Sequence, residues 1–267
     1  MKFFRDTRII FRKNLKQYLR WKLHLVFDII FPLLDLILFI LVWRAILSGG
    51  FKGVGYLNPK NYVAYLLSGL LLWRFVDTAL SGEVTHSFIR EKYWRTSPYL
   101  LISPINRLAI PYGMCLLSLI RAVYSGFILL FVGVLFFNFS SQGNIFLALL
   151  VIFLTFLGFS GIGLIIAGLA SWREDFADLT YVVNYVLMIA SGIFFPLEIL
   201  PESFRNGLLL LPSSQAVNAI RAIVIRNAGI VEILPTLAYL ALFSIISLTI
   251  AALIFKLVQR KAMLIGI

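Results

Sequence analysis

Asp35, Arg74, Asp77 and Arg121 are ionisable side chains set inside long apolar runs. A charge there is costly, so a functional role is its default reading. Counted from the inner end of each run, Asp35, Asp77 and Arg121 each stand 12 residues in, roughly 18 Å at the helical rise. Arg74 lies one turn further out and faces Asp77 at i, i+3. The spacing predicts one polar layer near mid-membrane, with Arg121 close to Asp35 or Asp77 across helices. Such a layer either pairs helices structurally or lines a conduction path. Asp28, Glu83 and His86 are expected nearer the inner surface, where water can hydrate them.

Other chemistry finds no residues to carry it. The chain contains no Gly-Lys pair and hence no P-loop of its own. Its two histidines, His24 and His86, occur without an HExxH or CxxC pattern, which argues against a metal centre. Cys115 is the single cysteine, so no internal disulfide forms, and both histidines lie on other runs. No catalytic set and no enzyme is expected.

The elements that position these charges are membrane helices. Apolar residues make up 61% of the 267 positions and mean hydropathy is +0.95, far above the ~45–50% apolar content of soluble domains. The net charge of +12 would suggest nucleic acid in a soluble protein. Here it fits loops lying against anionic lipid, and no nucleic-acid partner is expected.

Taken in order, residues 1–22 carry eight Lys or Arg against Asp6. Phe4, Phe11, Leu15, Tyr18 and Leu19 recur at helical spacing, predicting an amphipathic helix in the membrane interface. This stretch is too charged for a cleaved signal. Residues 23–267 then form one membrane domain, with spans expected at 23–47, 61–89, 109–137, 145–170, 179–196 and 234–255. The fourth has a small-residue face of Gly158, Gly161, Gly163 and Gly168, suited to close packing. Six spans put both termini on one side, which carries 16 Lys and Arg against 5 on the other. The positive-inside rule makes that side cytoplasmic.

Two connectors stand out. Arg90, Lys92, Arg95 and Arg107 surround the single acid Glu91 in REKYWRTSPYLLISPINR. Pro98 and Pro104 bracket a short piece there. It is either a topology-holding loop or a docking element for a soluble partner. Residues 197–233 interrupt apolar sequence with Pro201 and Pro212, and Ser213 or Ser214 could cap a helix stopped by Gly229. The pattern predicts two short helices dipping into the membrane from outside, or an outer cap packed on the bundle.

The run IREKYWRTSPYLLISPINRLAIPYG resembles the loop between spans two and three of ABC-2 type exporter permeases. SWREDFADL resembles their second cytoplasmic loop. SGIFFPLEILPESFRNGLLLLPSSQAVNAIRAI resembles their outer segment, departing from it at Leu211-Pro212, where many members carry Asn-Pro. The likeness spans essentially the whole chain. It implies an all-α, six-span permease subunit with an N-terminal interfacial gate helix and short re-entrant outer helices, working as a homodimer in the cytoplasmic membrane. Two copies of a separate P-loop ATPase would supply ATP and Mg chemistry, this chain holding no cofactor. Coupling would fall to Arg90, Glu91, Tyr93, Trp94, Arg95, Ser97, Pro98, Pro104 and Arg107. The outer gate would comprise Gly192, Phe194, Phe195, Pro196, Pro201, Pro212 and Arg221. The cargo class implied is amphiphilic: a polysaccharide or lipid-linked glycan, a drug or a lipid. Phe194, Phe195, Tyr62, Tyr65 and Trp73 would form either a sugar-stacking ring or an interfacial belt. The alternative is an ion-coupled carrier or channel using the Asp35, Asp77 and Arg121 layer.

Overall fold

The structure is a computed structural model describing residues 2–50, 54–57, 59–81, 103–106, 109–137, 139, 143–172, 176 and 178–265. The predicted amphipathic segment forms α1, Lys2–Arg20. The chain leaves helical geometry only at Trp21 before entering α2, Lys22–Ser48. There follow α3 (Tyr62–Ser81), α4 (Ala109–Phe137) and α5 (Ile145–Trp172). Then come α6 (Leu179–Ala190), α7 (Glu202–Leu209), α8 (Pro212–Arg226) and α9 (Ile230–Ile265). Among the described residues the only β pairing is an isolated bridge between Val54 and Leu57.

Five of these helices are long and apolar enough to cross a membrane, and a sixth crossing is reached if α7 and α8 count as one bent span. The expected fifth span, 179–196, is shorter than its hydrophobicity suggested. α6 is helical for 12 residues, about 18 Å, against a hydrocarbon layer of ~30 Å. Gly192 takes φ +67°, a left-handed backbone that a helix cannot continue through. The expected serine cap of the outer helix is also corrected. Pro212 takes the first helical position of α8, where its missing N–H costs nothing. Ser213 and Ser214 turn into the bundle instead. The helix ends at Asn227 in left-handed geometry (φ 56°), ahead of Gly229.

α3 is the axle of the bundle. It touches α2, α4, α5, α6 and α8 and is buried on nearly every face. α2, by contrast, buries only the narrow stripe Asp28, Pro32, Leu36, Ile40 and Trp43. That i, i+4 stripe faces α3 and α4, while Phe31, Leu34, Leu38 and Leu41 point away from the chain, as lipid-facing residues do. α5 and α9 make the most extensive helix pair. Lipid tails are as apolar as leucine, so close backbone approach supplies much of the attraction between such helices. Glycine permits it: a Cβ at Gly161 would meet Ser247, and one at Gly163 would lie 2.4 Å from the Ala79 carbonyl oxygen.

Gly163→Ala is therefore expected to force α5 off α3 and to destabilise the protein by about 1–3 kcal/mol. Gly207→Ala, on a helix where a Cβ meets nothing within 4 Å, should be neutral or slightly stabilising. Thermal unfolding of both variants in detergent checks the contrast.

Candidate functional site

α1 climbs along the first turns of α4 with the two helices pointing the same way. Asp6 accepts a hydrogen bond from the Asn106 N–H (2.9 Å), just ahead of α4. Thr7 and Ile10 lie against Gly113, and the Tyr18 ring lies 5.0 Å from the Arg121 guanidinium. The face of α1 buried here is Asp6, Thr7, Ile10, Asn14 and Tyr18. Of the five apolar residues singled out in sequence only Tyr18 belongs to it, and Phe4 and Leu19 remain exposed on the outer stripe.

This offset decides which charges meet. Equal depths counted from helix ends presume that the helices start flush. Because α1 occupies the first turns of α4, α2 begins further along the bundle, and Asp28 rather than Asp35 comes level with Arg121. The predicted pairing of Arg121 with Asp35 or Asp77 is corrected accordingly. Asp28, expected to be hydrated, is only 6% exposed.

Asp28 is the hub of the cluster. Its two oxygens accept a fork from Arg121, Nε to Oδ2 and Nη2 to Oδ1, both at 2.9 Å. Oδ1 also accepts from Arg74 Nη2 at 2.9 Å, and Oδ2 from the Tyr18 hydroxyl at 2.6 Å. Arg74 spends its other donors on Asp77 Oδ2 (2.9 Å), the expected i, i+3 pair, and on the Ser125 hydroxyl (3.0 Å). Asp77 Oδ1 takes bonds from Ser81 and from the Asn184 amide. Among the described residues, two carboxylates thus face two guanidiniums, the balance of charge that a low-dielectric interior favours. It joins α1, α2, α3, α4 and α6. Asp35 stands exposed on α2 and makes no hydrogen bond or ion pair among the described residues.

Outside the spans, two titrations follow from the geometry. The Asn106 N–H, and then Arg5, hold the Asp6 carboxyl below the usual carboxylate value, against the opposing pull of desolvation. Burial, and then the hydrogen bond that the hydroxyl donates to Asp28, push Tyr18 above the usual phenol value.

At the far end of the bundle the expected gate residues gather around the break after α6. Arg221 is buried at 2% exposure and donates to the carbonyls of Gly192 (2.9 Å) and Ile193 (2.8 Å). Its guanidinium stacks 3.5 Å over the Tyr65 ring. The Trp43 indole donates to the Phe194 carbonyl (2.7 Å), and the Phe194 ring stacks on Phe39. Phe195 is half-buried beside them and Pro196 is buried, whereas Pro201 starts α7 on the exposed side. Tyr65, Trp73 and Phe194 are core residues, so the aromatic ring or belt expected of them does not form on the surface of the chain.

Of the proposed coupling residues, Arg90, Glu91, Tyr93, Trp94, Arg95, Ser97, Pro98 and Arg107 lie outside the described residues. Pro104 lies within the described piece 103–106, which Asp6 anchors. Sequence reasoning missed Asp6, Tyr18, Asp28, Trp43 and Asn184 as functional candidates. A usable signal existed for Asp28: it begins the i, i+4 stripe that continues through Pro32 and Leu36.

A family model described as ABC-2 type transporter matches residues 5–225. ABC transporter G family member 20 of Dictyostelium discoideum is 28% identical over 66% of this chain, which spans only 24% of that protein. Capsule polysaccharide export inner-membrane protein CtrC of Neisseria meningitidis is 22% identical over 80% of this chain and 76% of its own length. Nodulation protein J of Rhizobium meliloti is 24% identical over 82% of this chain and 80% of its own.

Asp28→Asn should leave two guanidiniums without their shared anion and destabilise the protein by about 3–5 kcal/mol. Asp35→Asn, which removes no hydrogen bond or ion pair among the described residues and relieves the cost of a charge on a membrane-facing stripe, should not destabilise the protein. Chemical or thermal unfolding in detergent separates the two. A second expectation concerns pH. The Asp6 pKa is depressed in the folded state, so its contribution is present above the ordinary value of 3.8 and is lost as pH falls through the lower folded value. Asp6→Asn should remove that part of the acid-side stability slope, measured by unfolding across the acid range.

Proposed function

The chain belongs to the ABC-2 type transporter family, and from that premise we propose that it is the permease subunit of an ATP-driven exporter, powered by a separate P-loop ATPase. Two copies of the chain form the permease, and two ATPase subunits dock on the 90–107 connector, using Arg90, Glu91, Tyr93, Trp94 and Arg95. The ATPase holds the ATP and Mg. Both termini face the cytoplasm, in keeping with the lysine and arginine bias. α1 lies at the inner membrane boundary with its basic face on anionic lipid, and α7 and α8 enter the membrane from outside to close the exit.

The observation that carries this reading is the polar chain from the connector into the spans. Residues 103–106, at the connector's end, are bonded to Asp6 of α1. Tyr18 of the same helix is bonded to Asp28, and Asp28 to Arg74 and Arg121. A push on the connector would therefore reach α2, α3 and α4 through hydrogen bonds to charged groups, which resist stretching more than apolar contacts do. The cargo we favour is a polysaccharide or lipid-linked glycan moved outward, because one relative matched over most of its length is named for capsule polysaccharide export. The ion-coupled alternative is weakened by the engagement of Arg121 and Asp77 in the neutral cluster.

The subunit should co-purify with a P-loop ATPase, and Arg95→Glu or Glu91→Arg should uncouple hydrolysis from transport while leaving the fold intact. Sustained uphill transport by this chain alone in liposomes, under a pure ion gradient, would overturn the proposal in favour of the carrier.

A further inference from the structure

The turn that follows α6 has almost no backbone hydrogen bonds of its own. The Ser191 N–H still bonds to Leu187, and the next local backbone bond links Ile199 to Pro196. Between them, the carbonyls of Gly192, Ile193 and Phe194 are held by side chains from three other helices. Arg221 of α8 takes the first two, the Tyr65 hydroxyl of α3 adds a longer bond of 3.3 Å to Gly192, and Trp43 of α2 takes the third. Ser214 adds a weaker bond to the Ala190 carbonyl, and Ser213 meets Ser191. A broken helix end buried in a bundle must have its carbonyls satisfied by something. Here that something is a side chain able to let go.

Arg221 is the key member. It is a fully buried cation whose hydrogen-bond acceptors are two neutral carbonyls, with the face of a tyrosine supplying further attraction. Its Nε–H is buried and has no acceptor among the described residues. The fit around it is tight: a Cβ at Gly69 would meet Arg221 Nη2 at 3.0 Å and the Ile193 carbonyl at 3.1 Å. A purely structural cap could be supplied by an uncharged donor. A cation brought into this position and left with one orphaned donor is costly to keep, which suits a contact made in one state and broken in another. Among the described residues, the other hydrogen bonds from α8 to this turn are those of Ser213 and Ser214, and Arg221 is the one charged group among them. α7, which joins the turn to α8, has no buried residues and can follow it.

We propose that Arg221 is the bolt of the outer end: its guanidinium holds the 190–194 turn against α3 and α8, and the exit opens only when both carbonyls are released. The inference rests on the exporter reading for the purpose of the opening, although the bolt itself can be tested without the ATPase. Arg221 is a positioning residue here; it touches backbone and not cargo.

The test uses a reporter cysteine, Phe195→Cys, in a Cys115→Ala background, reconstituted in liposomes and exposed to a membrane-impermeant maleimide from the α7–α8 side. With Arg221 present and no nucleotide, labelling should be slow. Arg221→Lys keeps the charge but loses the fork and the stacking. It should raise the labelling rate about tenfold, the population shift expected from losing one charge-assisted hydrogen bond. Arg221→Ala should label fast, and millimolar ethylguanidinium should slow it again by refilling the vacated site. Labelling unchanged in Arg221→Lys, or ethylguanidinium without effect on Arg221→Ala, would overturn the bolt. A separate arm adds the ATPase partner and ATP to the Arg221 protein. If ATP leaves its labelling unaltered while the Arg221 variants behave as stated, the exporter reading fails and the bolt stands.

Discussion

A carboxylate shared between two guanidiniums is the constraint on which the α1 end of this bundle depends. Asp28 alone could not be buried, and neither could Arg74 or Arg121, since each isolated charge would lose far more hydration than packing returns. Among the described residues they close to zero net charge together with Asp77, and nearly every donor and acceptor finds a partner. The arrangement fixes the rotation of α2 about its axis, because only one stripe of that helix can face the cluster. It also fixes α1, whose Tyr18 hydroxyl completes the shell. Hydrophobic packing could not impose this specificity, since lipid competes equally well for apolar side chains.

The opposite end, around α7 and α8, is organised differently. There the problem is a broken helix, and its solution is a set of side-chain donors aimed at three successive carbonyls. Gly192 makes the break possible by taking a left-handed backbone, with its α-carbon packed so closely on Leu197 that a Cβ would sit 2.7 Å from that side chain. α3 joins the two ends. Arg74 belongs to the charged cluster and Tyr65 to the set that holds the turn, about two and a half helical turns apart on one rigid element. A rotation of α3 would be felt at both.

Much of the fold was legible in the chain because hydrophobic run length is a direct readout of bilayer thickness. The boundaries of α2, α4 and α5 follow the apolar runs to within a residue or two. The i, i+3 pair of Arg74 and Asp77 was legible for the same reason: it depends on the geometry of one helix. What failed were inferences between helices. Equal depth pairs Arg121 with Asp35 or Asp77, but α1 displaces the start of α2 along α4 and brings Asp28 there instead. Composition and position suggest a sugar-stacking ring or an interfacial belt of Tyr62, Tyr65, Trp73, Phe194 and Phe195, yet Tyr65 and Trp73 sit on the most enclosed helix of the bundle.

The sequence by itself determined that this is a multi-pass helical membrane protein of the ABC-2 type, with charges inside its spans and a proline-broken segment before the last of them. Those properties reside in composition, run length and local backbone chemistry. Only the tertiary structure decided which acid serves the two arginines, that Asp35 is left out, and that Arg221 grips the turn after α6. Each of these depends on the axial offset and rotation of one helix against another. No periodicity within a single helix encodes those two quantities.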